Sequence, residues 1–474
     1  MTKRLPSPPA PGPLEDYAAN FDDLFGTLAQ RRGFREYLQG LLLPRDRNKV
    51  LTALAGMEPI VGAQGAPAQR LQFFLSESAW DVAEIEARRL ELIREDPKSS
   101  SAPHKRGVLV IDETGDRKDG TKTDHVGYQY LGSVGRIANG IVSVSSVWAD
   151  ERVYHPLHVE PYTPAKRLEK ARSDPAFRTK PQIAVELVGR ARAASIPFRA
   201  VVADCLYGEN ADFEGAMFKA KVPYVLSLRP HKGRWADEEA AHTPEEAAQR
   251  MRWNSPKDPG DWEPIVRTFK DGHTEKWWAV EVSTLVGYGP QKSIRLVAVS
   301  TDPQTLPANS SWYLMTNLPV GGSPRAQGSP FEAADLCEVV RIYGLRQWVE
   351  QSFRQIKGEL GFSDFQIRRD HAIRRHWEMV FCAFSFCWWA YTNTQEEHER
   401  AFTDPQPPDI KNVPEDEVAG EKRTRRRRKG GGDSSVLAGG STASKRMAGP
   451  AGNAVALLEG MVESAPTATT ASAA

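Results

Sequence analysis

The sequence has few of the residues that mark a disulfide-stabilised, zinc-binding or membrane-spanning protein. Four cysteines occur in 474 residues, and their spacing fits neither paired zinc ligands nor the disulfide framework of a small secreted domain. The most apolar stretch, which follows Asp370, keeps that character for about fifteen residues and is interrupted by Glu378, whereas a membrane span needs about 20. We therefore expect a cytoplasmic protein without a membrane partner.

The sequence also lacks an excess of charge of either sign. Lysine and arginine total 62 and aspartate and glutamate total 61, so the formal net charge is +1 at pH 7. A chain this close to neutral is not a uniform basic coat for nucleic acid, and any DNA-binding surface must arise from local segregation of charge. No nucleotide cofactor is expected, because residues 287–293 carry Gln291 where a phosphate loop needs glycine before its lysine.

What the sequence does contain is a succession of segments with different periodicity. Helical periodicity broken by Pro and Gly is followed by alternating strands and helices, then by strands alone, and finally by a polar, arginine-rich end. The pattern predicts a mixed α/β sheet flanked by helices. We divide the chain into a flexible lead (1–13), an N-terminal helical domain (14–100), the first part of the sheet domain (101–230), a β-rich insertion (231–310), the second part of the sheet domain (311–394) and a disordered basic tail (395–474).

Two short apolar segments each end on an aspartate. Asp112 follows the β-branched run at 108–111, and Asp204 follows a similar run at 200–203; turn residues come next in both cases. Buried strands of this kind belong to sheets covered on both faces, and acids at their carboxyl ends face the crevice where such sheets bind ligands. The sequence therefore predicts two carboxylates on neighbouring strand tips.

A third acid lies within residues 341–361, which read as one helix. Four polar residues at steps of 3, 7 and 14 share an arc of about 60° on that helix: Tyr343, Arg346, Glu350 and Lys357. A carboxylate among two cations and a phenol can bind a metal ion while its neighbours bind phosphate oxygens. An ordinary solvated helix face with mixed charge is the alternative.

With this spacing, and with Asp112, Asp204 and Glu350 in that order, the chain resembles bacterial insertion-sequence transposases of the DDE superfamily, in the branch with a tyrosine, arginine, glutamate and lysine signature. The resemblance runs from about residue 107 to about residue 391 and departs from the family pattern behind Asp204, where a glycine is usual and Gly208 comes only four residues later. It implies a ribonuclease H-like core in which the three acids are catalytic and hold two Mg²⁺ ions, for which Mn²⁺ substitutes.

The resemblance also implies an activity and partners, and it makes the N-terminal helical domain (14–100) the expected DNA-binding domain, with a scaffold role as the alternative. The expected reaction is metal-dependent cleavage at transposon ends and strand transfer into target DNA, so the partners would be double-stranded DNA and a second copy of the chain, as a homodimer on paired ends. The expected location is the bacterial nucleoid. Two alternatives remain open: a domesticated, non-cleaving DNA-binding protein on the same fold, and a stand-alone nuclease.

DNA contacts beyond the acids are expected from two groups of residues. Tyr343, Arg346 and Lys357 would contact phosphates along the backbone. Trp312 is a candidate for holding an unstacked base, as related transposases with a β insertion use a tryptophan. Trp277 and Trp278 are consecutive in a strand, so at most one of them can face DNA, and packing within the insertion is the alternative for all three.

Overall fold

The structure is a computed structural model that describes residues 12–95, 101–232, 235–236, 241–268, 274–282 and 294–395. The predictions for the lead and the tail lie outside these residues except at their inner ends, where the first helix begins at Pro13 and the last ends at Gln395. The helices are α1 (Pro13–Ala19), α2 (Leu28–Leu42), α3 (Leu51–Leu54), α4 (Ala66–Ser76), α5 (Val82–Glu95), α6 (Lys180–Ala193), α7 (Cys205–Gly208), α8 (Ala211–Lys219), α9 (Pro244–Gln249), α10 (Pro324–Gly328), α11 (Leu336–Gly344), α12 (Gln347–Gly358) and α13 (Asp370–Gln395). The strands are β1 (Val108–Arg117), β2 (Gly127–Leu131), β3 (Arg136–Ala149), β4 (Tyr154–Tyr162), β5 (Val201–Ala203), β6 (Tyr224–Ser227), β7 (Trp235–Ala236), β8 (Ala241–His242), β9 (Glu263–Thr268), β10 (Thr274–Val282), β11 (Arg295–Ser300) and β12 (Ser311–Thr316).

One large mixed sheet organises the described residues. Its strand order is β2-β3-β1-β5-β6-β12-β11-β10-β9, and β4 pairs with β3 beside this path. The β1–β5 and β5–β6 pairs are parallel, whereas the other pairs in the sheet are antiparallel. The predicted mixed α/β sheet flanked by helices is confirmed, and its arrangement is consistent with a ribonuclease H-like core.

The strand-rich segment predicted at 231–310 supplies β7 to β11, of which β7 and β8 form a separate two-stranded sheet. Strands β9, β10 and β11 are joined to β6 through β12 and so extend the large sheet. Every residue of β11 and the last four residues of β12 are buried, so both faces of the sheet are covered at these two strands.

The N-terminal helices pack directly on the last helix of the described chain. Helix α13 contains neither Pro nor Gly over 26 residues, and it contacts α1, α2, α4 and α5 on one side and β4 on the other. These elements and the sheet share one hydrophobic core. Among the described residues no helix is both long and apolar enough to cross a membrane.

A buried ion pair explains the acid within the apolar part of α13. Arg89 on α5 and Glu378 on α13 are 0% and 4% exposed, and Arg89 Nε lies 2.6 Å from Glu378 Oε1. The same guanidinium donates to the carbonyl oxygens of Pro156 and Leu157 on β4, at 2.9 and 2.6 Å. This one side chain therefore ties an N-terminal helix, the sheet and the last helix together.

Candidate active site

The two aspartates lie side by side on neighbouring parallel strands. Residues Val108–Ile111 of β1 are fully buried, and the β1–β5 pairing ends with Ile111 opposite Ala203. Asp112 and Asp204 come next on each strand, at an interstrand spacing of about 4.8 Å. The prediction that β1 ends at Asp112 is wrong, because the strand continues to Arg117 by pairing with β3. The pairing of β1 with β5 stops just before Asp112, whereas its pairing with β3 continues beyond that residue.

Asp204 is held by the turn that follows it. Its Oδ1 accepts a hydrogen bond from the backbone N–H of Leu206 at 2.9 Å and so caps the one-turn helix α7. A Cβ on Gly208 would lie 2.1 Å from the carbonyl oxygen of Ser227, so only glycine fits there. Gly208 therefore lies where α7 contacts β6, four residues after Asp204.

The signature residues do not lie on one continuous helix. Helix α11 ends at Gly344 and α12 begins at Gln347, with Leu345 and Arg346 in a turn between them. Tyr343 therefore belongs to α11, Glu350 to the first turn of α12 and Lys357 to its last turn. The single-helix prediction is wrong here, and glycine at the end of α11 is consistent with its low helix propensity.

Arg346 joins two of the three candidate acids. Its Nη2 donates to Asp112 Oδ2 at 2.9 Å and its Nη1 donates to Glu350 Oε1 at 3.2 Å. Asp112 and Arg346 are largely buried, whereas the Glu350 side chain is 68% exposed. The Nε of Arg346 is buried and has no hydrogen-bond partner. The Arg346 guanidinium thus lies between the carboxylates of Asp112 and Glu350, in a position where a cation can neutralise both.

The electrostatics of Asp112 are unfavourable for a carboxylate. Burial raises the pKa of Asp112 to about 7, and the neighbouring carboxylates of Asp204 and Glu113 act in the same direction, while Arg346 opposes them. Carboxylate oxygens are the ligands that Mg²⁺ and Mn²⁺ prefer, and a cation bound beside Asp112 would favour its ionised form. The chemistry of the donor set therefore fits a divalent ion.

The three acids are not gathered into one cluster in this structure. Within the described ranges, no group of three or more His, Cys, Asp or Glu side chains is arranged to hold a metal ion. Asp112 and Asp204 are adjacent, and Glu350 reaches Asp112 only through Arg346. For Glu350 to share an ion with the aspartates, Arg346 must give up at least one of its two contacts.

A second contact between α12 and β1 involves the last signature residue. Lys357 Nζ lies 2.6 Å from Asp116 Oδ1 and donates to the carbonyl oxygen of Gly115 at 3.2 Å. Asp116 lies on the same face of β1 as Asp112, about 13 Å along the strand, in the part of β1 that continues past the predicted strand tip at Asp112. Sequence reasoning therefore missed its role, although two acids four residues apart on one strand face were visible.

Glu113 points to the other face of the strand, as alternation predicts. It accepts hydrogen bonds from Lys180 Nζ and from the Tyr207 hydroxyl, both at 3.0 Å. These partners lie on α6 and α7, whereas Asp112 binds Arg346 beside α12. The hydrogen-bond partners of Glu113 therefore differ from those of Asp112.

Aromatic residues of the sheet extension reach the signature through Tyr343. Its ring packs edge-on against Trp312 with centroids 5.1 Å apart, and Trp312 lies 4.8 Å from Trp277. The Arg267 guanidinium lies over both indole rings, at 4.7 and 4.8 Å. Trp277 and Trp278 are 5% and 4% exposed, which favours the packing alternative for these two residues, while Trp312 is only partly buried.

The chain is similar to known proteins over most of its length. The family description "DDE superfamily endonuclease" matches residues 20–283, a range that contains Asp112 and Asp204 and ends before Glu350. The chain is also 30% identical over 368 residues to the probable transposase for insertion sequence element IS701 of Microchaete diplosiphon, a match that covers 77% of this chain and 85% of the relative.

Proposed function

The chain belongs to the DDE superfamily of insertion-sequence transposases, and we propose that it cleaves DNA with Asp112, Asp204 and Glu350. Endonucleases of this superfamily depend on divalent metal ions, and DNA is their substrate. DNA transposition is therefore the activity of this protein, and the non-cleaving and stand-alone nuclease alternatives are not favoured.

The observation that carries the site assignment is the strand register. Because Ile111 is paired with Ala203, Asp112 and Asp204 follow on adjacent parallel strands, with carboxylates on the strand ends that face the same crevice. Arg346 adds Glu350 to this pair through hydrogen bonds to both Asp112 and Glu350. One guanidinium thereby contacts two of the three acids, and the third, Asp204, follows the strand that pairs with β1 beside Asp112.

We propose Mg²⁺ as the ion, with Mn²⁺ as a substitute, held by Asp112, Asp204 and Glu350. Bound divalent ions would supply the charge that activates water or a DNA 3′-hydroxyl and stabilises the leaving oxygen. Asp112 must lose its proton to take part, and Arg346 favours that loss. No side chain of the chain needs to form a covalent bond to DNA, so its contribution is to position the phosphodiester and stabilise charge.

The signature cations and aromatic residues would hold the DNA around this centre. Arg346 and Lys357 are paired with acids of β1, so each would exchange a carboxylate for a phosphate in contacting DNA. Tyr343 is largely buried and supports Trp312, whose partly exposed indole is the candidate for stacking on an unstacked base.

The remaining assignments concern the assembly. We propose that the N-terminal helices contribute to recognition of transposon ends and that two copies act on paired ends, because each chain offers one set of acids and two ends must be cut. With DNA as its substrate, the proposed location of the protein is the bacterial nucleoid.

The test uses three isosteric variants, Asp112→Asn, Asp204→Asn and Glu350→Gln. DNA carrying the ends of the element that encodes the chain is incubated with each protein in Mg²⁺, Mn²⁺ or Ca²⁺. We expect each variant to bind the ends and to lose cleavage by several orders of magnitude. Asp119→Asn, which changes an acid that is 90% exposed, is the matched control and should cleave normally. Near wild-type cleavage by any of the three variants would remove that residue from the site.

A further inference from the structure

Three large apolar side chains are exposed on one face of the β2–β3 hairpin. Tyr128 is 79% exposed, Tyr130 is 61% exposed and Ile137 is 69% exposed. Tyr128 and Tyr130 are two residues apart on β2, and Tyr130 is paired with Ile137 on β3, so the three side chains share the outer face. Contiguous exposed apolar groups of this kind mark an interaction surface.

The inner face of the hairpin fixes its position against the sheet. Leu131 is fully buried, and Ser133 Oγ donates to the carbonyl oxygen of Gly115 at 2.7 Å. A Cβ on Gly140 would lie 2.4 Å from the carbonyl oxygen of Asp116, so β3 can pass this close to β1 only with glycine there. The outer face is therefore presented by a packed hairpin that is anchored at its tip.

The same anchor places the hairpin beside the candidate active site. The Gly115 carbonyl oxygen that accepts from Ser133 also accepts from Lys357 Nζ, on the helix that carries Glu350. Gly115 follows Asp112 by three residues on β1, which is about 10 Å. DNA bound at the acids would extend over this distance within about three base steps.

Positive charge surrounds the hairpin although the whole chain is nearly neutral. Arg167 donates to the carbonyl oxygens of Thr121 and Thr123, both at 3.1 Å, and so joins the loop after β4 to the loop before β2. Across residues 117–137 and 163–173 the exposed acids are Asp119 and Glu169. The exposed cations in the same two segments are Arg117, Lys122, Arg136, Lys166, Arg167, Lys170 and Arg172.

We propose that the outer face of the hairpin, formed by Tyr128, Tyr130 and Ile137, binds DNA and stacks on bases that are unpaired beside the cleaved phosphodiester. Exposed aromatic rings within a basic surface suit nucleic acid, because the rings stack on bases while the cations bind phosphates. A second copy of the chain is a poorer occupant, since twofold docking of this face would oppose the same seven cations to themselves. The inference rests on the proposed function, and it adds a binding surface that the acids and the signature do not supply.

The experiment measures DNA binding in Ca²⁺, so that cleavage is not required. Fluorescence anisotropy compares a duplex transposon end with the same end carrying three unpaired nucleotides next to the cleavage site. We expect Tyr128→Ala/Tyr130→Ala to lose at least about tenfold in affinity for the unpaired DNA and much less for the duplex. Tyr128→Phe/Tyr130→Phe should bind like the unaltered protein, because stacking needs the ring and not the hydroxyl.

Two controls separate this surface from a general effect. Phe218→Ala removes an aromatic ring that is 45% exposed on α8 and should leave both affinities unchanged. Arg136→Ala should weaken binding to both DNAs and reduce the salt dependence of binding.

The proposal is overturned if the folded double Ala variant binds both DNAs normally, or if its main effect is a change in oligomeric mass by light scattering. Loss of cleavage in the acid variants tests the proposed function separately, because neither affinity in Ca²⁺ depends on turnover.

Discussion

Replacement of Glu378 by Gln tests whether the N-terminal helices and the sheet form one cooperative unit. The substitution keeps the shape of the side chain but leaves the fully buried charge of Arg89 without its counter-ion. Arg89 keeps its hydrogen bonds to the Pro156 and Leu157 carbonyl oxygens, which cannot neutralise it. Arg89 would then carry an unpaired charge where α5, β4 and α13 meet, so the packing among these three elements should weaken together.

The expected magnitude follows from the burial of the pair. Removing one partner of a buried ion pair costs about 3–5 kcal/mol, which is a large part of a total stability of about 5–15 kcal/mol. Replacement of both partners by Met should recover most of this loss, because two apolar side chains of similar volume carry no desolvation penalty. A matched exposed pair is Arg117–Asp119, whose side chains are 65% and 90% exposed and for which Asp119→Asn should cost less than about 1 kcal/mol.

The assay is urea unfolding followed by tryptophan fluorescence and by circular dichroism. It is run at pH 8, because burial raises the pKa of Glu378 to about 7 against the opposing charge of Arg89. One transition with both probes is expected, since the N-terminal helices share the core of the sheet. A Glu378→Gln loss below about 1 kcal/mol, or a double variant no more stable than the single one, would refute the reasoning.

Three further predictions concern the active-site helix and pH. Arg346→Ala should lower the unfolding free energy by about 1–3 kcal/mol, measured in urea, because it removes the hydrogen bonds that tie Asp112 to Glu350; unchanged stability would contradict this. Lys357→Ala should reduce by about 0.9 the slope of log affinity for the ends against log salt concentration, whereas Asp116→Asn should leave it unchanged. If the Lys357→Ala variant has the same slope as the unaltered protein, Lys357 contacts only the strand and not a phosphate. Burial lowers the pKa of His376 to about 4, so the stability that its neutral ring provides is present above about pH 6.5 and is lost as pH falls towards 4. His376→Gln should flatten the fall in unfolding free energy between pH 6.5 and 5, and an equally steep fall would argue against this assignment.

Local patterns were sufficient for much of the fold and for the choice of candidate acids. A β-branched run followed by aspartate predicted that Asp112 and Asp204 lie on adjacent buried strands, because a strand that is covered on both faces has to be continuously apolar. The gaps from Tyr343 to Lys357 identified the family that the comparisons then established. Burial of α13 could also be predicted from composition, since an apolar stretch too short to span a membrane belongs in a core.

Contacts between residues distant in sequence were decided only by the tertiary structure. Asp112 and Arg346 are 234 residues apart, and no local pattern shows that one guanidinium would join Asp112 to Glu350. The continuation of β1 to Arg117 depends on pairing with β3, and the pairing of Asp116 with Lys357 depends on where α12 crosses that extension. Periodicity reports which face of an element is apolar, but partners, breaks between helices and the exposure of a hairpin face depend on how the elements pack.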